Sequence, residues 1–370
     1  MKKVLLFLSL AAVVIACSSD DENNNQPGND YNRTALLTNW ADNIIIPSFE
    51  NYQLKVNDLS AKGNAFTSAP TTENLAALRT SWLEAYKSYQ YVSMYYFGKA
   101  ELVFLKESAN TYPTDASGIE SNISAGTYNL ALYAQFDKQG FPGLDYLING
   151  LGANDAAILA YYTSNGNAAR YRQYLTDVTG RLKTNADLIV ADWNSGYRNT
   201  YIAGSGTSVS SSVNKTTNNF VKNFERDIRT AKIGFPAGKF SNGTLPQNVE
   251  AYYKRDVSKE LLNIALKAEQ DFFNGKHFDG QSQGEGLKSY LDYVNAIRNG
   301  QKLSDIINGQ FNTIATATAA LNADFVQQIN TDNSKMLAAY DALQQGVIYT
   351  KLDMMQALNI TIDYVDGDGD

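Results

Sequence analysis

Apolar residues recur at intervals of three and four along much of the chain, the spacing that places them on one face of an α-helix. The clearest case is near the C-terminus, where two such stripes are separated by the polar segment TDNS. Long helices joined by so short a break are expected to pack as antiparallel neighbours. The stripes consist of Ile307, Phe311, Ile314, Ala317, Leu321, Phe325 and Ile329, and then Met336, Tyr340, Leu343 and Val347.

Earlier segments have the same period. The apolar positions from Leu175 to Trp193 predict a helix, and Thr72 fits as the N-cap of another, TENLAALRTSWLEAYKSYQYVSMYYF. A further helix is expected from about Asn32. Pro47 should kink that helix, because proline lacks a backbone N–H and clashes with the preceding turn.

Proline is rare, and residues 143–235 and 247–370 contain none. Long proline-free stretches with helical periodicity predict an all-α protein. Strand patterns are few; TIDYV near the C-terminus alternates but is short enough to be only a terminal extension. Breaks rich in Gly, Ser and Asn occur at 98–127, 195–218 and 274–286, and the middle one is the best candidate for a domain junction.

The N-terminus, MKKVLLFLSLAAVVIAC, combines two lysines with an apolar run that is too short for a stable membrane span. Residues 1–17 are therefore predicted to be a secretory signal. Its last four residues, VIAC, resemble the bacterial lipobox, in which the cysteine is lipidated. Cys17 is the only cysteine and has no disulfide partner, so lipidation explains its position. The alternative is a plain signal peptide with an incidental cysteine.

Residues 18–31 are polar and acidic, and such a segment cannot bury enough surface to offset its ordering entropy. We expect a flexible tether. Its start, SSDDE, resembles the export signal of surface lipoproteins in Bacteroidetes-type bacteria, although a solvated spacer explains it equally well. The C-terminal DGDGD is too short for a calcium loop and is expected to be a solvated acidic tail.

Charge and histidine content exclude several function classes. The formal net charge is -7, and because the signal carries Lys2 and Lys3 and no acid, it becomes -9 after cleavage. This acidity argues against nucleic acid as a partner. His277 is the only histidine, which excludes a two-histidine zinc motif and leaves no evident partner for a serine nucleophile.

The order of several segments resembles the imelysin-like family, all-α proteins once described as peptidases and linked to bacterial iron uptake. The segments are IIIPSFENY, SWLEAYKSYQYVSMYYFG, GFPGLDYLI, IGFPAGK and the DGDGD tail, behind a lipoprotein signal. The resemblance implies two packed helical bundles with a site at their junction. The expected boundaries are 32–205 for the N-terminal bundle and 206–370 for the C-terminal one.

The family's signature at that site is Gly-x-His-x-x-Glu. Here Gly140 matches, Pro142 replaces the histidine and Asp145 replaces the glutamate. Tyr86 and Ser93 stand where family members commonly carry an arginine and a glutamate. The resemblance therefore implies a ligand pocket formed by Trp82, Tyr86, Ser93, Gly140, Pro142 and Asp145. It also implies that a metal centre of the family type is not retained, since proline offers no lone pair and serine is a poor ligand.

Asp145 has two interpretations. It can occupy the first turn of a helix, DYLINGL, where a carboxylate favours the positive end of the helix dipole. Alternatively, it belongs to a remodelled binding pocket. The nearby tyrosines also have two interpretations: they fill a bundle interface, or they form a hydroxyl-lined pocket or a stacking surface for sugars. These are Tyr86, Tyr89, Tyr91, Tyr95 and Tyr96.

The resemblance and the lipobox together imply a lipid-anchored, non-catalytic protein of the bacterial envelope that binds a ligand in connection with iron or haem uptake. An outer-membrane location is expected, either periplasmic or surface-exposed. We expect no cofactor. One alternative is a surface module that binds a polysaccharide or a partner protein. The other is a metallopeptidase, which the missing signature histidine argues against.

Overall fold

The computed structural model describes residues 30–364, and helices form nearly all of its regular structure. Cys17, residues 18–29 of the predicted tether and the DGDGD tail lie outside this range, so the predictions made for them stay predictions. The predicted end of the tether at residue 31 is wrong, because Tyr31 is buried and stacks on Tyr290 with ring centroids 4.2 Å apart. The α-helices are α1 Arg33–Asn39, α2 Ile46–Ser68, α3 Thr72–Gln90, α4 Lys99–Leu102, α5 Leu105–Asn110, α6 Ala116–Ala125, α7 Gly140–Asp145, α8 Asp155–Thr163, α9 Ala168–Asp192, α10 Arg198–Ala203, α11 Ser212–Lys222, α12 Ser258–Phe273, α13 Leu287–Tyr293, α14 Leu303–Ala319, α15 Phe325–Asp332, α16 Ser334–Val347 and α17 Met355–Ala357.

Wider or tighter helical turns join several of these helices, and one small hairpin completes the regular structure of the described residues. π-Helical segments cover Trp40–Ile45, Tyr146–Gly150, Trp193–Tyr197, Asn223–Gly234 and Ile348–Met354, and 3₁₀ turns cover Tyr133–Lys138 and Pro246–Asn248. Strands β1 Ile297–Arg298 and β2 Gln301–Lys302 pair antiparallel. Residues 361–364, the described part of TIDYV, form no strand, and the all-α prediction is confirmed.

The N-terminal bundle is built on α2, which packs along both α3 and α9. Gly63 permits the close approach to α9, since a Cβ there would lie 3.1 Å from Oγ1 of Thr179. The predicted stripe of α9 is buried from Leu175 to Trp193. Helix α1 begins at Arg33, as the expected start at about Asn32 predicted, and Asn32 is its N-cap. The π-helical turn Trp40–Ile45 lies just ahead of Pro47.

The C-terminal bundle is built on α11 and its π-helical continuation Asn223–Gly234, packed against α12 and α16. Helix α14 packs along α16, as the two apolar stripes predicted. The first stripe is interrupted, however, because α14 ends at Ala319 and α15 begins at Phe325. The reason is tertiary: Lys259 on α12 donates to the carbonyl oxygens of Ala319 and Leu321, both at 2.7 Å, and caps the helix.

Helix α3 is also shorter than its sequence suggests. It ends at Gln90 instead of continuing to Phe97, and its N-cap is Thr71, not Thr72. The chain then turns so that Tyr95 packs against Phe49 and Phe272, at ring-centroid distances of 6.1 and 5.6 Å. Packing of this aromatic ring within the core outweighs the local preference to continue the helix.

The two bundles share one continuous hydrophobic core, with α3 packed against α12. A loop at 204–211 separates α10 from α11, close to the predicted boundary at 205/206, which stays a prediction. The break at 98–127 is an ordered connection that contains three short helices. Within residues 30–364, no helix combines the length and the apolar character needed to cross a bilayer.

Candidate functional site

Asp145 lies at the C-terminal end of α7, so its predicted place in the first turn of a helix is wrong. The helix begins five residues earlier, at Gly140. Gly140 has φ +70°, and a Cβ there would lie 2.3 Å from the carbonyl oxygen of Ala109. Only glycine fits this conformation and this approach. Gly140 therefore fixes where the signature helix starts, and Asp145 follows on its second turn.

The carboxylate of Asp145 joins the two bundles. It is buried and accepts the backbone N–H groups of Tyr253 (2.8 Å) and Lys254 (3.0 Å), while Asn149 donates to it at 2.9 Å. Burial raises the pKa of Asp145 to about 7, against the lowering effect of these donors. Asp145 thus anchors the loop 249–254, which belongs to the C-terminal bundle.

Trp82 and Tyr86 lie in the core beside the signature helix and not in an open pocket. The indole N–H of Trp82 donates to the carbonyl oxygen of Phe141 at 3.0 Å, and the Tyr86 ring stacks on Phe141 with centroids 4.5 Å apart. The Tyr86 hydroxyl donates to Asn110. Both side chains hold α7 against α3, so their contacts are structural.

Replacing Trp82 by phenylalanine is expected to lower the free energy of unfolding by about 2 kcal/mol, since it removes a buried hydrogen bond and leaves unfilled volume. Urea unfolding checks this. Trp40→Phe is the matched control: the buried indole N–H of Trp40 has no acceptor among the described residues, so its loss should cost less. Equal losses for the two variants would contradict the assigned role of the Trp82 hydrogen bond.

The signature helix borders a small cavity of about 160 Å³, which we call the signature cavity. Pro142 and Asp145 line it from one side and the loop 249–254 from the other. Because both carboxylate oxygens of Asp145 already accept backbone N–H groups, little of its capacity is directed at a ligand. The full lining is Tyr112, Pro113, Thr114, Pro142, Asp145, Gln247, Val249, Ala251, Tyr252 and Tyr253.

A second cavity, of about 230 Å³, lies between the bundles, and we call it the junction cavity. It shares Tyr112 with the signature cavity. Of the six predicted pocket residues, only Ser93 lines it. The lining is Tyr89, Gln90, Ser93, Lys106, Asn110, Thr111, Tyr112, Asn223, Asp227, Ile228, Ala231 and Lys232. Nearly all of these side chains carry a polar group.

Two ion pairs stabilise the junction cavity, one across the bundles and one within the C-terminal bundle. Lys106 pairs with Asp227, and Lys232 pairs with Glu250. Lys232 and Glu250 are 4% and 2% exposed, so this pair is withdrawn from water. Glu250 also accepts a hydrogen bond from Asn110 at 2.9 Å. Its loop is the one that Asp145 anchors, so the signature helix supports the wall of the junction cavity indirectly.

Behind the cavity wall lies a buried amide–carboxyl pair. Asn223 donates to Glu269 at 2.6 Å, and burial raises the pKa of Glu269 well above its usual range. Oδ1 of Asn223 and the second carboxyl oxygen of Glu269 have no hydrogen-bond partner among the described residues. Buried acceptors of this kind are rare in folded proteins.

Sequence reasoning did not identify most of the junction cavity. Asn223, Asp227 and Lys232 belong to NNFVKNFERDIRTAK, whose polar residues recur at helical spacing and look like a solvated face. The π-helical geometry of Asn223–Gly234 gave no signal in the sequence, although such turns are frequent at functional sites. Only the packing of a second bundle against this face makes it a cavity wall.

Of the five tyrosines in and after α3, Tyr86, Tyr89 and Tyr95 are buried, and Tyr91 and Tyr96 are partly buried. The interpretation as interface residues therefore describes their position better than an exposed stacking surface. Tyr89 also borders the junction cavity, where burial raises the pKa of its hydroxyl well above the usual range.

These features define a class of protein: an all-α fold of two packed bundles, with a polar cavity and a glycine-initiated helix at their junction. The sequence model of the imelysin family, Peptidase M75, matches residues 45–348, and the chain belongs to this family. No match is found among curated proteins.

Two solved structures share the fold. An imelysin-like protein from Psychrobacter arcticum 273-4 is 19% identical, with a TM-score of 0.68 over 90% of this chain and 97% of that one. The second structure, described as that of an iron-regulated protein A precursor from Parabacteroides distasonis ATCC 8503, is 15% identical in sequence. Its TM-score is 0.69 over 88% of this chain and 94% of that one.

The residues at the signature do not fit a metal ion. Pro142 supplies no ligand atom, and the oxygens of Asp145 accept N–H groups from three residues. Within residues 30–364, no cluster of three or more His, Cys, Asp or Glu side chains could hold a metal. His277 is distant in the sequence, and its backbone belongs to the 274–286 loop, where its N–H donates to Ser282.

Proposed function

We propose that this chain is a lipid-anchored envelope protein that binds a small polar ligand in the junction cavity without catalysing a reaction on it, in connection with iron or haem uptake. The observation that carries the proposal is the polar wall of that cavity, built from both bundles and held by one buried and one partly exposed ion pair. A larger depression of about 420 Å³ lies beside the β-hairpin, but it is more open to solvent.

The link to iron rests on the family and on the name of the Parabacteroides distasonis protein. Pockets for drug-sized ligands span roughly 300–1,000 Å³, and the junction cavity at about 230 Å³ is smaller. Intact haem is too large for it. If this protein acts in haem uptake, it therefore does so by binding a smaller ligand or a partner protein.

A deletion strain tests the physiological part of the proposal. We expect its growth to match the parent in iron-replete medium and to be slower under iron starvation, with restoration by the intact gene. Expression of a Cys17→Ser variant separates anchoring from binding, since it removes the lipidated thiol alone. Equal growth of parent and deletion strains in both media would remove the iron link.

Purified residues 18–370 are expected to bind neither iron nor zinc stoichiometrically, because the signature offers no ligand set. Elemental analysis and metal titration check this, with Asp145→Ala measured in parallel. One equivalent of metal in the unaltered protein that Asp145→Ala loses would contradict the expectation. Peptide cleavage abolished by EDTA would restore the peptidase interpretation.

An exposed apolar patch favours the alternative of a surface module for polysaccharide or partner protein. Leu102, Phe104, Leu132 and Tyr133 are 69%, 45%, 55% and 77% exposed. The rings of Phe104 and Tyr133 both contact Phe136, with centroids 5.6 and 5.2 Å away. Clustered exposed aromatic and aliphatic groups are typical of interaction sites.

A glycan array and a pull-down with the envelope fraction separate the two kinds of partner. Tyr133→Ala combined with Phe104→Ser should abolish capture of either, whereas Leu54→Ser, at an exposed residue on α2, is the control for loss of an isolated apolar group. If the double variant still captures the same partner, the patch is not the binding surface.

A further inference from the structure

We propose that the ligand of the junction cavity is a neutral, polyhydroxylated molecule about the size of one sugar ring. The inference rests on the proposed function, since it assigns a ligand class to the same cavity. It follows from the charge, the hydrogen-bonding capacity and the size of the wall.

The charges of the wall are already balanced. Lys106 has Asp227 as its counter-ion, and Lys232 has Glu250. Burial of Glu269, behind the wall, raises its pKa well above the usual range and so disfavours its charged form. An ionic ligand would lose its hydration in the cavity and find no uncompensated charge to replace it. A net-neutral ligand avoids this cost.

The lining of the junction cavity contains both hydrogen-bond donors and hydrogen-bond acceptors, so a matching ligand both accepts and donates. The side-chain amides of Gln90 and Asn110 and the hydroxyl groups of Ser93 and Thr111 belong to this lining, and groups of both kinds can donate and accept. Tyr89 adds a phenol side chain to this lining. Each lysine ammonium carries three donors, more than its single carboxylate partner uses. Hydroxyl groups meet both demands, because each one donates and accepts.

Size and shape agree with a single ring. A volume of about 230 Å³ corresponds to roughly eight water molecules in the liquid, or a ligand of about ten non-hydrogen atoms. The rings of Tyr89 and Tyr112 and the aliphatic side chains of Ile228 and Ala231 supply the apolar part of the lining. Sugars and cyclic polyols present C–H faces to such surfaces and hydroxyl groups at their edges.

The test measures binding to purified residues 18–370 by calorimetry and by the shift in the thermal unfolding midpoint. The neutral probes are D-glucose, D-galactose, D-mannose and myo-inositol, and the charged probes are citrate, L-glutamate and putrescine. We expect one-to-one binding of at least one neutral probe. Tyr89→Phe should raise the Kd of that probe roughly 3- to 10-fold, which corresponds to the loss of one hydrogen bond.

Tyr95→Phe is the matched control, because Tyr95 is buried in the same segment but does not line the cavity. Its Kd should equal that of the unaltered protein. If only a charged probe binds, the proposed ligand class is wrong, but the assignment of the junction cavity as a binding site is retained. A neutral probe that Tyr89→Phe binds unchanged would place the binding elsewhere and overturn the inference. If no probe binds, the cavity holds water only, and both the inference and the assignment of this cavity as the ligand site fail.

Discussion

Replacing Lys232 by methionine is expected to lower the free energy of unfolding by about 3–5 kcal/mol, the largest loss expected for any single side chain at the junction of the bundles. The ammonium of Lys232 and the carboxylate of Glu250 are both buried, and each is the other's counter-ion. Methionine has nearly the same length but no charge, so the buried carboxylate of Glu250 would lose its counter-ion. Denaturant unfolding measures the loss.

Two further variants make this prediction specific. Lys239→Met removes a lysine that pairs with Asp341 and is 37% exposed at its side chain, and it should cost less than about 1 kcal/mol. Combining Lys232→Met with Glu250→Gln removes both charges and should recover at least half of the loss. A Lys232→Met protein as stable as Lys239→Met would show that the buried pair does not stabilise the wall of the junction cavity.

The stability of the protein relative to an Asp145→Asn variant is expected to fall as pH rises from about 4 to about 7. Burial raises the pKa of Asp145 from 3.8 to about 7, so within this window the folded protein keeps a proton that the unfolded chain has released. Stability therefore decreases by about 1 kcal/mol per pH unit through the window. It is flat above the folded pKa and below the unfolded one.

Comparison with Asp145→Asn isolates the contribution of Asp145 to the pH dependence of stability. Asparagine does not titrate, and the contributions of the other titratable groups are the same in both proteins and cancel in the difference. Asn149→Ala is a second probe: it removes a donor that lowers the pKa of Asp145, so it should move the upper end of the window to higher pH. Equal differences between the protein and Asp145→Asn at pH 5 and pH 7.5 would contradict the prediction. Because Asp145 anchors the loop that carries Glu250, the same titration should loosen the wall of the junction cavity.

Among the predicted site residues, sequence similarity identified the right region but not the contacts. Pro142 and Asp145 do lie where the two bundles meet, Gly140 begins their helix, and the loss of the signature histidine is visible in the sequence. The role of Asp145 could not be predicted, because its partners Tyr253 and Lys254 lie more than a hundred residues away. Nothing local distinguishes a carboxylate at a helix start from one that accepts N–H groups of a distant loop.

The sequence alone determined the all-α class, most of the long helices and membership of the imelysin family, because helical periodicity and family motifs are properties of local segments. Tertiary structure decided where α3 and α14 end, since a distant aromatic cluster and the Lys259 ammonium stop them. It also decided which polar residues form the junction cavity. A helix face that contacts solvent and one that lines a buried cavity have the same polar spacing, and only the packing of the second bundle separates them.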